Sequence, residues 1–141
     1  VLDKIVYVAG ALRGNFIRKW LNFKKIHKIC KKLWSNNIIN YSPHKNSGWF
    51  DNKKTDEFML ASNIELLKRC DILFVVDNWK KSSGTMGELI EAIRSGKKIY
   101  FDIDDLIEDL KYRRFDRSLT IIEQEELLIK IRKIKNHRNI Y

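Results

Sequence analysis

Ile72-Leu73-Phe74-Val75-Val76-Asp77 and, shortly after it, Ser82-Ser83-Gly84-Thr85-Met86-Gly87-Glu88-Leu89-Ile90-Glu91-Ala92-Ile93 decide how this chain folds. The first run is apolar and rich in β-branched residues, as a strand buried on both faces requires. The second opens with hydroxyls and a glycine, then carries apolar residues at helical spacing, so it reads as a turn entering a helix. A strand that feeds a helix in this way is half of a parallel βαβ unit, whose ligands bind outside the carboxyl ends of the strands. Glu88 falls one turn inside the helix, at that mouth. Ser82, Ser83, Gly84 and Thr85 place hydroxyls and backbone N–H groups at the helix N-terminus, a site suited to an anion.

The same alternation extends in both directions. Ile5-Val6-Tyr7-Val8-Ala9, closed by Gly10, is a second buried strand, followed by the loop Ala11-Leu12-Arg13-Gly14-Asn15. From Phe16 to Trp34 the apolar residues Ile17, Trp20, Leu21, Phe23, Ile26, Ile29, Cys30 and Leu33 recur at three- and four-residue steps, which predicts an amphipathic helix ended by Asn36 and Asn37. Ile38-Ile39-Asn40-Tyr41 is a strand stopped by Ser42-Pro43. Residues 44–54 are expected to be loop. A helix from Thr55 to Cys70 precedes the central strand, and Lys98-Ile99-Tyr100-Phe101 follows the Ser95-Gly96 helix end.

These elements predict a doubly wound α/β domain, flavodoxin- or Rossmann-like, with a mostly parallel sheet of four to five strands over residues 1–103. Residues 104–141 form a helical C-terminal extension in two pieces, 105–114 and 121–135, whose Leu and Ile residues pack on the domain or on a partner subunit.

Composition bounds the rest. With 141 residues and 44% hydrophobic content the chain can bury one ordinary core. The 28 Lys and Arg against 18 Asp and Glu give a net charge of +10, which favours anionic partners. Much of that excess lies between Arg13 and Lys54, where a solvated lysine-rich helix face is the plain reading and a nucleic-acid surface the sharper one. Cys30 and Cys70 are isolated thiols, matching neither a metal site nor a disulfide scaffold, and imply a reduced, cytoplasmic setting. No run reaches the ~18 apolar residues of a membrane span, and no targeting segment is expected. His27, His44 and His137 are scattered, so no metal and no cofactor are expected.

Two phosphate-friendly loops, Gly10-Ala11-Leu12-Arg13-Gly14 and Ser82-Ser83-Gly84-Thr85, follow the first and third strands. If those strands are neighbours, both loops meet at one crevice. Arg13 would then offer a fork of donors to phosphate.

Taken together, Val6-Tyr7-Val8-Ala9-Gly10-Ala11-Leu12-Arg13-Gly14, Asn63 through Val76, and Ser83-Gly84-Thr85-Met86-Gly87-Glu88 resemble the nucleoside 2-deoxyribosyltransferase superfamily, including its nucleotide N-glycoside hydrolases, over about residues 4–103. The resemblance implies that Glu88 attacks the anomeric carbon of a (deoxy)nucleoside or its 5′-monophosphate. Cleaving a glycosidic bond builds positive charge that an ionised carboxylate stabilises and can trap. It further implies that Gly10, Ala11, Arg13, Gly14, Ser82, Gly84 and Thr85 hold the sugar or phosphate, that Asn63 contacts the base, and that the protein works as a homo-oligomer, a dimer. Where the family carries aspartate this chain has Asn63, an amide that can hydrogen-bond a base but cannot move a proton. Ala11 likewise replaces a serine. A binding or sensor module that has lost turnover is therefore the alternative. Gly84-Thr85-x-x-Glu88 also resembles the corresponding element of LOG-type phosphoribohydrolases, which again implies an N-glycosidic bond.

Several residues carry two readings. Asp77 either orients a sugar hydroxyl or caps a turn at Asn78-Trp79. Trp49, Phe50 and Trp79 either stack on a base or pack in the core. His44 is either a general acid or a structural loop residue.

Overall fold

The computed structural model describes residues 3–11, 16–47 and 56–139. Its centre is a four-stranded parallel sheet, β1 (Val6–Ala9), β2 (Asn40–Tyr41), β3 (Ile72–Val75) and β4 (Lys98–Tyr100), in the order β2-β1-β3-β4. Val6 pairs with Ile72 and Ala9 with Val75, so the first and third strands are neighbours as the two-loop argument needs.

Helices cover both faces. The helices are α1 (Phe16–Ser35), α2 (Pro43–Ser47), α3 (Asp56–Lys68), α4 (Ser83–Arg94), α5 (Ile103–Lys111) and α6 (Ile121–Asn139). Alternate residues along each strand point to opposite sides. Tyr7, Ala9, Leu73, Val75 and Ile99 meet Leu67 of α3, Met86, Leu89 and Ala92 of α4, and Leu127 and Ile131 of α6. Val6, Val8, Ile72, Phe74 and Tyr100 meet Ile26, Cys30 and Leu33 of α1 and Leu106 and Leu110 of α5. Helix α6 therefore packs on the sheet through Leu127 and Ile131, whatever else its outer face does.

Local chemistry explains the element ends. Asn37 takes the left-handed conformation, φ 59°, where asparagine is tolerated, and ends α1. Gly96, φ +69°, follows α4 in the position glycine favours. Asp102 caps α5 by accepting from the N–H groups of Asp104 and Asp105. Thr120 and Glu123 cap α6 reciprocally, each side chain accepting the other's backbone N–H.

Two expectations are corrected. Residues 43–47, expected to be loop from residue 44 onward, form the short helix α2, because Pro43 suits a first helical position. In α1 only Ile26, Cys30 and Leu33 are buried, while Phe16, Ile17, Trp20 and Leu21 are exposed. A helix of this length runs ~30 Å, whereas a four-residue strand runs ~13 Å, so its first turns overhang the sheet. No helix among the described residues is long and apolar enough to cross a membrane.

Candidate active site

At the carboxyl end of β3 the chain makes a single 3-10 turn, Trp79–Lys81, and enters α4. Ser82 is the N-cap of that helix. Its Oγ accepts from the Thr85 N–H at 3.1 Å and from the Thr85 hydroxyl at 3.0 Å. Having accepted twice, the serine keeps its own O–H proton to donate. Thr85 is buried beneath it. A Cβ at Gly84 would meet only Ser82 Oγ, at 3.8 Å, so the fold does not demand a glycine there.

Glu88, one turn deeper, is only 4% exposed, and its Oε2 has no hydrogen-bond partner. A carboxylate in that state is costly, because burial penalises its charge. Burial accordingly pushes the Glu88 carboxyl up to about 7, while the neighbouring Tyr7 hydroxyl acts in the opposite direction. The Tyr7 Oη is also buried and without a hydrogen-bond partner. Tyr7 and Glu88 thus lie close enough to bias each other's ionisation, yet their atoms stop short of a formed hydrogen bond. Burial, and next the Glu88 charge, raise the Tyr7 phenol well above its ordinary value. Tyr41 of β2 joins the group, with its ring 5.8 Å from that of Tyr7 and its Oη accepting from Asn46 Nδ2 at 3.2 Å. A buried acid poised near neutrality beside an unpaired phenol is the arrangement expected where chemistry, not stability, sets the residues.

The remaining expected site residues divide. Gly10 has a packing reason, since a Cβ there would meet Val76 Cβ at 2.9 Å. The Ala11 N–H donates to Asn78 Oδ1 at 3.0 Å, and Asn78 Nδ2 donates to the Ala11 carbonyl and to Asn22 Oδ1. The Ala11 amide is therefore already engaged by Asn78, which in the sequence reads only as part of a turn. Asp77 is exposed and paired with Lys25 of α1 at 2.9 Å, with its side chain 79% exposed. Asn63 lies half-buried on α3, which packs beside α4 through Leu60 and Gly87. Arg13 and Gly14, like Trp49 and Phe50, lie outside the described residues.

Trp79 is buried in the core, with its ring 6.3 Å from Phe101. His44 Nε2 lies 2.6 Å from the Gly10 carbonyl, so it donates there and supports the end of β1. A tyrosine inside an apolar strand reads as core, which conceals Tyr7 in the sequence. Among the described residues no group of three or more His, Cys, Asp and Glu side chains could hold a metal ion.

A four-stranded parallel sheet flanked by helices on both faces defines an α/β class also seen in two solved structures. One is a 2-deoxyribosyltransferase from the psychrotolerant bacterium Bacillus psychrosaccharolyticus, 19% identical, with a TM-score of 0.60, covering 82% of this chain and 99% of that one. The other is a conserved protein from Enterococcus faecalis V583, 18% identical, with a TM-score of 0.56, covering 92% and 98%. At such identities the likeness is one of fold. Residues 4–101 match the domain of unknown function DUF4406, and the chain belongs to that family. No curated protein matches the sequence.

Proposed function

We propose that this chain is an N-glycosidase or glycosyl transferase acting on a (deoxy)nucleoside or its 5′-monophosphate. The observation that carries the reading is Glu88 in the helix that follows β3, buried, with an orphaned oxygen, beside Tyr7 of β1. An oxygen of the ionised Glu88 carboxylate attacks C1′ of the sugar. The C1′–N bond breaks, its electron pair stays on the base nitrogen, and a proton is taken up there. The resulting glycosyl ester is released when water or a second base attacks C1′ and returns the carboxylate. Tyr7 donates to the carboxylate once Glu88 ionises and so keeps the attacking oxygen in line. Ser82, Gly84 and Thr85, together with Arg13 and Gly14, bind the sugar or phosphate, and Asn63 hydrogen-bonds the base. Gly10, Ala11 and Asp77 shape and brace the crevice. Buried, unpaired Cys30 and Cys70 fit a cytoplasmic setting, and two copies act together as a homodimer.

A panel of ribo- and deoxyribonucleosides and their 5′-monophosphates, assayed for free base, tests this. Glu88→Gln should lower base release by about 10³ or more, since it removes the nucleophile itself. Equal release by wild type and Glu88→Gln would discard the mechanism. Preference for ribonucleoside monophosphates would instead favour phosphoribohydrolase chemistry on the same carboxylate.

The second reading, a nucleotide-binding module without turnover, is favoured by the Asn63 amide and by an Ala11 N–H already occupied by Asn78. Saturable nucleotide binding in calorimetry with no base released from any substrate would select it.

A further inference from the structure

Helix α6 presents two unlike faces. Leu127 and Ile131 are buried against the sheet, while Ile122 and Ile129, one heptad apart on the opposite side, are 68% and 52% exposed. Around Ile129 the charges are antisymmetric. Glu125 and Glu126 precede it, Arg132 and Lys133 follow it at matching separations, and all four are exposed. None of the four takes part in an ion pair among the described residues. Ile122, Glu125, Ile129 and Arg132 recur at steps of three and four, the spacing of a helix–helix seam.

We infer that this outward face of α6 docks a second copy of the chain, the two helices antiparallel about a two-fold axis through Ile129. On that axis Ile129 meets Ile129 of the second copy. On one flank of the seam Glu125 stands against Arg132 and on the other Glu126 stands against Lys133, twice over by symmetry, and Ile122 covers the turn at Asn136. The parallel alternative sets Glu125 and Glu126 against themselves and is repelled. The antiparallel one also opposes the helix dipoles favourably. A two-fold contact must be self-complementary, and this charge order is what makes a single helix so. Helix α1, which also exposes apolar residues, has no acidic residue along its whole length and fails the same requirement. Exposed ion pairs add little attraction singly, so burial of the isoleucines drives the contact while the charges set its orientation and register. The inference rests on the two-copy part of the proposed function and not on its glycosidic chemistry.

Sedimentation or light scattering across a concentration series tests it, with circular dichroism confirming that each variant is folded. Wild type is expected to dimerise. Glu125→Lys with Glu126→Lys should give monomers, as should Arg132→Glu with Lys133→Glu. A one-to-one mixture of those two double variants should recover dimers only if the helices are antiparallel, and so should the quadruple variant that inverts every charge. Ile129→Cys should form a disulfide-linked dimer on oxidation, since Cys30 and Cys70 are buried. Wild type that is monomeric at every concentration overturns the inference together with self-association. Dimers that survive both double reversals overturn this face alone and leave self-association standing.

Discussion

Two buried tyrosine–carboxylate pairs sit on opposite faces of the same sheet, and they are built to opposite ends. Tyr100 donates to Asp109 Oδ2 at 2.7 Å, the Arg117 N–H donates to the same oxygen at 2.8 Å, and Arg114 Nε reaches Oδ1 at 3.3 Å. Asp109 is fully buried and fully partnered, so it locks the 112–120 segment to α5. Tyr7 and Glu88 are as deeply buried, yet the tyrosine oxygen and one carboxylate oxygen are unpartnered. A pair of the first kind stabilises a fold. One of the second kind costs stability and persists where its unused valence does something.

The contrast fails most visibly at Asp109. Asp109→Ala should destabilise the protein by about 3 kcal/mol, because it strands the buried Tyr100 phenol and the Arg117 N–H and leaves a cavity beneath them. Chemical denaturation would measure this. Base release per folded molecule should stay at the wild-type level, and loss of activity beyond the unfolded fraction would erase the distinction between the two pairs.

Glu88 should behave in the opposite sense with pH. Its carboxyl is raised from 4.5 to about 7 on folding, so the folded state holds the proton more tightly than the unfolded one between those values. Stability due to this group is present below pH 4.5, falls as pH rises, and levels off above about 7. The full span is about 3 kcal/mol. Wild type should lose that much more than Glu88→Gln between pH 4.5 and 8 in matched denaturation curves. Parallel curves would show that Glu88 is satisfied after all. Because only the ionised form attacks, catalysis should rise with pH through about 7.

The finest comparison is between the two hydroxyls. Tyr100→Phe removes a buried charge-assisted bond and should cost about 1–3 kcal/mol, whereas Tyr7→Phe removes no formed bond and should leave stability nearly unchanged. Activity should reverse the order, with Tyr7→Phe slowing turnover about tenfold through poorer aim of Glu88 and Tyr100→Phe having no effect. Equal melting shifts for the two variants would blur the contrast.

Much of this was legible in the residues. Strand-forming runs, helical spacing and the Ser-Gly-Thr turn located all four strands and the helix that carries Glu88. Asn36-Asn37 and Ser95-Gly96 marked helix ends correctly, because capping depends on local backbone geometry. The Thr120-x-x-Glu123 box is equally local in origin. The surroundings of Tyr7 and Asn78 were not legible. Their roles depend on which neighbour a strand brings alongside, and a tyrosine among valines or an asparagine in a turn has no local mark of that. The exposed start of α1 was missed for a related reason, since periodicity gives the length of an apolar stripe and not the length of the sheet beneath it.

The sequence by itself determined the α/β alternation, the basic charge, the placement of Glu88 at a helix entry and the antisymmetric charges of α6, because each is a property of neighbours along the chain. Only the tertiary structure decided that β1 lies against β3, that Glu88 is buried facing Tyr7 with an oxygen unmet, that Asn78 grips Ala11, and which side of α6 stays open. Those are contacts between residues distant in sequence, and burial, which gives a carboxylate its altered acidity, exists only once the chain has closed around it.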